Sequence, residues 1–186
     1  MALLTRISGW IDATTDWIGR GVGWLTLVMV LIGAFNALAR SIGTKIGAQL
    51  GSNIWLEAQW YLFAMVFMLG AAATLRHDKH VRVDVFYGRL SEKGRAWVNL
   101  FGTVTLLLPF CVLSSWACWD YVWNSWAAAE QSPDPDGLPR YPLKVMILLT
   151  FGLLALQGLS TLCKSLVVLS GAEPRDPDED SGEELA

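Results

Sequence analysis

Gly21 to Ala39 reads GVGWLTLVMVLIGAFNALA, nineteen residues without a single charge. A helix rises about 1.5 Å per residue, so this run can cross a hydrocarbon core of roughly 30 Å. Buried helices of soluble proteins seldom stay uncharged for so long. Three further runs of the same kind follow at 58–75, 96–119 and 145–163, of 18, 24 and 19 residues. Four such runs in 186 residues define the fold class as an all-α integral membrane protein with four transmembrane helices.

The first run is expected to stay in the mature chain. Ala37-Leu38-Ala39 has the small-x-small look of a cleavage site, but Asp12 and Asp16 precede the run and a short basic n-region does not. Spans are expected at about 19–40, 57–76, 95–120 and 143–165, within a membrane domain of 1–172. Residues 173–186, EPRDPDEDSGEELA from Glu173 onward, read as an acidic, disordered cytoplasmic tail.

Lysine and arginine counts set the expected orientation. Arg6, Arg20, Arg76, Lys79, Arg82, Arg89, Lys93, Arg95, Lys164 and Arg175 lie on the side that holds both termini. Arg40, Lys45, Arg140 and Lys144 lie on the other. Ten against four predicts that both termini are cytoplasmic (N-in/C-in). The acidic surplus behind the net charge of −3 sits mostly in the tail, where it weighs little.

Around the spans, two amphipathic interfacial helices are predicted. Over about 2–18, Leu3, Ile7, Trp10, Ile11, Trp17 and Ile18 share one stripe, and Thr5, Arg6, Ser8, Asp12, Thr15 and Asp16 fill the other side; the pattern suits a helix in the membrane interface or packed on a neighbour. Over 83–90, Val83, Phe86, Tyr87 and Leu90 follow the helical i, i+3, i+4, i+7 spacing, with Asp78 and Arg82 four apart and Ser91 as the cap of the next helix. Trp10, Trp17, Trp55, Trp60, Trp116, Trp119 and Trp123 are read as membrane-interface anchors, with Trp126 continuing the last stripe.

Chemistry is conspicuous by its poverty. Cys111, Cys118 and Cys163 all fall in spans and read as packing residues. The knot RHDKHVRVD at 76–84 holds both histidines, yet its loop carries six basic residues and lacks a further Cys or His to complete a zinc-type set, so no metal and no cofactor is predicted. No nucleotide-binding loop or nucleophile–base arrangement is visible, so neither an enzyme nor a nucleic-acid partner is expected. The four runs carry no ionisable residue of the kind that a self-sufficient ion-coupled carrier uses. Arg40 and Glu57, at the ends of spans one and two, are the natural ion pair on the outer side, within the chain or to another subunit. By exclusion the chain is a membrane subunit supporting chemistry done elsewhere. An independent homo-oligomeric transporter or redox membrane anchor is the alternative.

The block 55–95, WLEAQWYLFAMVFMLGAAATLRHDKHVRVDVFYGRLSEKGR, resembles the small membrane subunit of tripartite ATP-independent periplasmic (TRAP) transporters. The resemblance rests on Glu57 opening span two, Leu69-Gly70-Ala71-Ala72 near its end, and the run His80-Val81-Arg82-Val83-Asp84. Asn36 and Arg40 ending span one fit the same pattern. The segment from Ser132 looks like a subgroup loosely associated with organic acids. The resemblance implies a bacterial inner-membrane scaffold that supports a large multi-span subunit in cation-driven uptake, most simply by Na+, of an organic acid. It further implies a periplasmic binding protein as transient partner, lipids between subunits, and structural or subunit-interface roles for Arg40, Glu57, His80, Arg82 and Asp84.

Overall fold

The computed structural model describes residues 2–47, 51–77, 87, 90–135 and 137–171. Four long helices fill them: α1 (Ala2–Ile46), α2 (Asn53–Arg76), α3 (Glu92–Ala127) and α4 (Tyr141–Leu169). Each is long and apolar enough to cross a membrane, and no strand occurs among the described residues.

Local chemistry sets most of the helix ends. Ser52 caps α2 by accepting from the Ile54 backbone N–H at 3.3 Å, and Ser91, the cap expected from the sequence, caps α3 by accepting from Gly94 N–H at 3.3 Å. Pro142 sits in the first turn of α4, where a missing N–H costs nothing. Inside α3, Thr103–Leu107 form a π turn in which Leu108 N–H reaches back to the Thr103 carbonyl. Pro109 explains it: the proline offers no N–H and crowds the carbonyl four residues earlier, and a widened turn relieves both problems.

α1 is one unbroken helix of 45 residues, about 67 Å long. The predicted segment 2–18 is therefore the first five turns of the same rod as span one. Of its polar side, Ser8, Asp12 and Thr15 face inward onto neighbouring helices, whereas Arg6 is exposed and belongs to the outward face.

α1 and α2 run antiparallel in a constant register. Asp16 meets Arg76, Gly19 faces Ala73, Val22 lies against Gly70, Gly33 against Gln59, and Arg40 against Gly51. At Gly19 an added Cβ would sit 3.1 Å from Ala73 Cβ, so the absent side chain sets how closely the helices approach. α4 is the central helix, packing on α1, α2 and α3, whereas α3 packs on α4 and makes no comparable contact with α1 or α2. Gly158 of α4 is the crossing point: a Cβ there would meet Leu107 Cδ2 at 2.9 Å and Thr103 Cγ2 at 3.3 Å, both in the π turn.

The interior is inverted relative to a soluble protein. Ser8, Asp12, Thr15, Asn36, Glu57, Thr103, Ser125, Gln157, Ser160 and Ser165 are buried, while most large apolar side chains of α1 and α3 face outward. In lipid, burying a leucine between helices gains little, and interhelical hydrogen bonds with small-residue contacts do the holding.

Candidate functional site

Two polar clusters lie at opposite ends of the bundle. The proximal end is that of the first turns of α1 and the last turns of α2 and α4; the distal end carries the α3–α4 connection.

At the proximal end, Ser8, Asp12 and Thr15 recur at helical spacing and turn one polar edge of α1 onto α4. Asp12 is 1% exposed. Its Oδ1 accepts from Gln157 Nε2 at 3.0 Å and from Ser160 Oγ at 2.7 Å, and its Oδ2 lies 2.8 Å from Lys164 Nζ. Thr15 Oγ1 donates to Gln157 Oε1 at 2.9 Å. Arg76, at the end of α2, joins the same cluster by donating to the Asp12 backbone carbonyl and pairing with the Asp16 carboxylate. His77 Nε2 stands 3.2 Å from Asp16 Oδ1. α4 thus closes on the Asp12 carboxylate, and α2 joins through the Asp12 backbone carbonyl and the Asp16 carboxylate.

This cluster changes one sequence expectation. No span carries a charge in its own uncharged run, yet Asp12 reaches Gln157 and Ser160, which lie inside the uncharged run of α4. The available signal was Lys164, seven residues beyond Gln157 and so on nearly the same face, opposite an acidic edge on α1. Chemically the cluster is a clamp. Both Asp12 oxygens are committed, and the Lys164 ammonium occupies the place a mobile cation would take.

At the distal end, Glu57 is 4% exposed and holds the α3–α4 connection. The Ser132 hydroxyl and the Leu138 backbone N–H both donate to its carboxylate. Tyr61, one turn along α2, donates to the carbonyls of Leu138 at 3.0 Å and Pro139 at 2.7 Å. The ends of the connection close on each other, with Arg140 N–H donating to the Glu130 carbonyl at 2.8 Å and Lys144 pairing with the Glu130 carboxylate. The Lys144 ammonium also lies 4.0 Å from the centroid of the Tyr121 ring. That ammonium holds the Glu130 carboxyl below the usual glutamate range. Gly137 fits where a side chain would strike Ser132 and the Glu57 carboxylate.

Arg40 does not join this group. Its side chain packs over Gly51, and no ion pair links it to Glu57 among the described residues, so within this chain the expected pair is replaced by the loop contacts. His80, Arg82 and Asp84 lie outside the described residues, as do most of the predicted helix at 83–90 and the acidic tail. Tyr87, from that region, exchanges hydrogen bonds with Asn99 of α3 at 3.0 and 3.2 Å. Among the tryptophans read as anchors, Trp55 packs edge-on against Phe35 with ring centroids 5.5 Å apart, and Trp10, Trp17, Trp60, Trp116, Trp119 and Trp123 are all exposed.

An apolar exterior, four helices long and apolar enough to span, and an interior clamped by its own charges define a membrane protein of the helical-bundle class. Residues 29–167, three quarters of the sequence, match the family described as Tripartite ATP-independent periplasmic transporters, DctQ component, and the chain belongs to that family. It is a membrane-spanning component of a transporter, in a family that is not one of enzymes. No curated protein and no solved structure matches the chain.

Proposed function

We propose that this chain is the static scaffold of its transporter, enlarging the rigid body against which a large multi-span subunit moves substrate. The observation that carries the reading is Asp12. A carrier needs a charge that binds and releases an ion, whereas this buried carboxylate is neutralised by Lys164 and held by Gln157 and Ser160 of the same chain. Glu57 is likewise committed to its own distal loop.

In this reading uptake is driven by a cation, with Na+ the first choice, and the solute is an organic acid delivered by a periplasmic binding protein. Both termini face the cytoplasm of a bacterial inner membrane, supported by the ten-to-four distribution of Lys and Arg. Glu57 shapes the periplasmic surface, and Arg40, His80, Arg82 and Asp84 serve assembly. Lipids fill the exposed faces that no subunit covers.

The test is purification in mild detergent followed by reconstitution with and without the co-purifying protein. A stoichiometric large multi-span partner, and uptake only when it and a binding protein are present, is the expected result. Solute movement by this chain alone would overturn the scaffold reading.

A further inference from the structure

The outward face of α1 carries a repeat that its fold leaves unused. Leu3, Trp10, Trp17, Trp24, Leu31 and Leu38 stand seven residues apart, and every one is exposed. Four residues after each come Ile7, Thr14, Gly21, Val28, Phe35 and Ile42, also all exposed. This is the alternating four-three spacing of a coiled-coil edge, kept for six heptads. α3 packs mainly on α4, and its outward face carries a shorter row of the same four-three spacing, Val112, Trp116, Trp119, Trp123 and Trp126, with Phe101 and Leu113 exposed outside that row.

We propose that this edge of α1 is the docking surface for a long helix of the large membrane subunit, an assignment that rests on the scaffold reading above. Lipid alone does not account for it. From Leu3 to Ile42 the edge runs about 58 Å, against a hydrocarbon core of roughly 30 Å. Trp10, Trp17 and Trp24 are 76%, 71% and 71% exposed. They spread over about 21 Å of helix axis, whereas an interfacial layer is only about 5–8 Å deep on each side. A straight rod cannot hold all three at one membrane level, even at a tilt of about 40°. Tryptophan is the side chain that most often anchors protein interfaces. Thr14 and Gly21 are the smaller residues between the three tryptophans in sequence, and a Cβ at Gly21 would meet nothing within 4 Å in this chain.

Charge selects the occupant. Arg6 and Arg20 are exposed on the same face, fourteen residues apart, each just before a position of the second column. The acidic residues of α1 are turned away, Asp12 onto Lys164 and Asp16 onto Arg76. A second copy of this chain would bring its own Arg6 and Arg20 to a face with no acidic side chain. The partner helix therefore presents acidic residues about 21 Å apart beside an apolar edge, crossing α1 at a shallow angle near 20°.

The test is photocrosslinking in native membranes, with benzoylphenylalanine at positions 17, 24 and 31 of the full chain and, as controls, at 101 and 113 on α3. Adducts with the large subunit from the α1 positions and not from the controls are expected. Adducts with lipid only, with a second copy, or from α3 in place of α1 would overturn the assignment. Those outcomes leave the scaffold reading standing as long as the large subunit still co-purifies; its failure to co-purify with the unmodified chain would remove both. Gly21→Leu provides the second readout. At least a tenfold loss of retained large subunit, with the melting of the isolated chain unchanged, is expected; full retention would count against the docking surface.

Discussion

Lys164 and Asp12 meet at 2.8 Å between α4 and α1, with the lysine 35% exposed and the aspartate almost fully enclosed. The asymmetry decides what each substitution does. Removing Lys164 leaves a carboxylate that cannot reach water, and breaking a buried pair from one side costs about 3 kcal/mol or more. Removing the Asp12 charge leaves an ammonium that can still be solvated. Lys164→Met is thus expected to lower the unfolding midpoint in detergent more than Asp12→Asn, and Asp12→Leu combined with Lys164→Met should recover part of the loss. Equal effects of the two single substitutions would mean that the pair is not the hub of the proximal cluster.

The spans were legible because charge-free runs report directly on the solvent that surrounds a helix. The face each helix turns inward was not. On α1 the periodicity separated Asp12, Thr15 and Ser8 from the tryptophans, but in a membrane protein an apolar stripe does not by itself point to the core. Only the partner surface, with Gln157, Ser160 and Lys164 at matching heights, resolves the direction. The partners of Glu57 within the chain were hidden for another reason. They are a backbone N–H and a serine hydroxyl from 75 to 81 residues away, and a backbone donor has no sequence signature. The π turn did have one, Pro109 inside an apolar run, which marks a local break without showing where the helix resumes.

Glu57→Ala removes the acceptor for the Leu138 N–H and the Ser132 hydroxyl together. A fully buried donor left unsatisfied costs about 1–3 kcal/mol; Ser132 and Leu138 are only half-buried, so the loss is smaller and falls on the loop, since α2 and α4 keep their other contacts. The expected result is faster proteolysis between residues 130 and 140, with helix content by circular dichroism unchanged. Gly137→Ala should act in the same direction because its methyl group would collide with Ser132 and the Glu57 carboxylate. A loop that stays resistant in both variants would show that Glu57 is not its anchor.

The Glu130–Lys144 pair gives the same loop a pH dependence. The Glu130 carboxyl is held below its ordinary value, first by its hydrogen bond to Lys144. A depressed folded-state value means that the unfolded loop binds protons more readily than the folded one. The pair's contribution is therefore fully present above the ordinary glutamate value and is lost as pH falls through the lower, folded one. Hydrogen exchange at Arg140, whose N–H donates to the Glu130 carbonyl, should accelerate across that acidic window once corrected for intrinsic rates. Glu130→Gln should abolish the acceleration, and its persistence in that variant would assign it to another group.

Gly158 is the position at which α3 has most to lose. Among the described helices α3 packs mainly on α4, and Thr103 and Leu107 of its π turn fill the space where a side chain at 158 would go. Gly158→Ala already places a methyl group 2.9 Å from Leu107 Cδ2, a contact that a flexible leucine can relieve at small cost. Gly158→Leu cannot be absorbed that way and must push the two helices apart, since overpacking costs about 1–3 kcal/mol. Phe110 and Phe151, whose ring centroids stand 5.8 Å apart, are well placed to report it. With cysteines at 110 and 151 in a chain lacking its native three, crosslinking should be efficient with Gly158, slightly reduced with Ala, and at least several-fold slower with Leu. If the leucine variant crosslinks as fast as the parent, α3 is held by something other than this crossing point, and the π turn is a consequence of Pro109 without being the site where α4 is received.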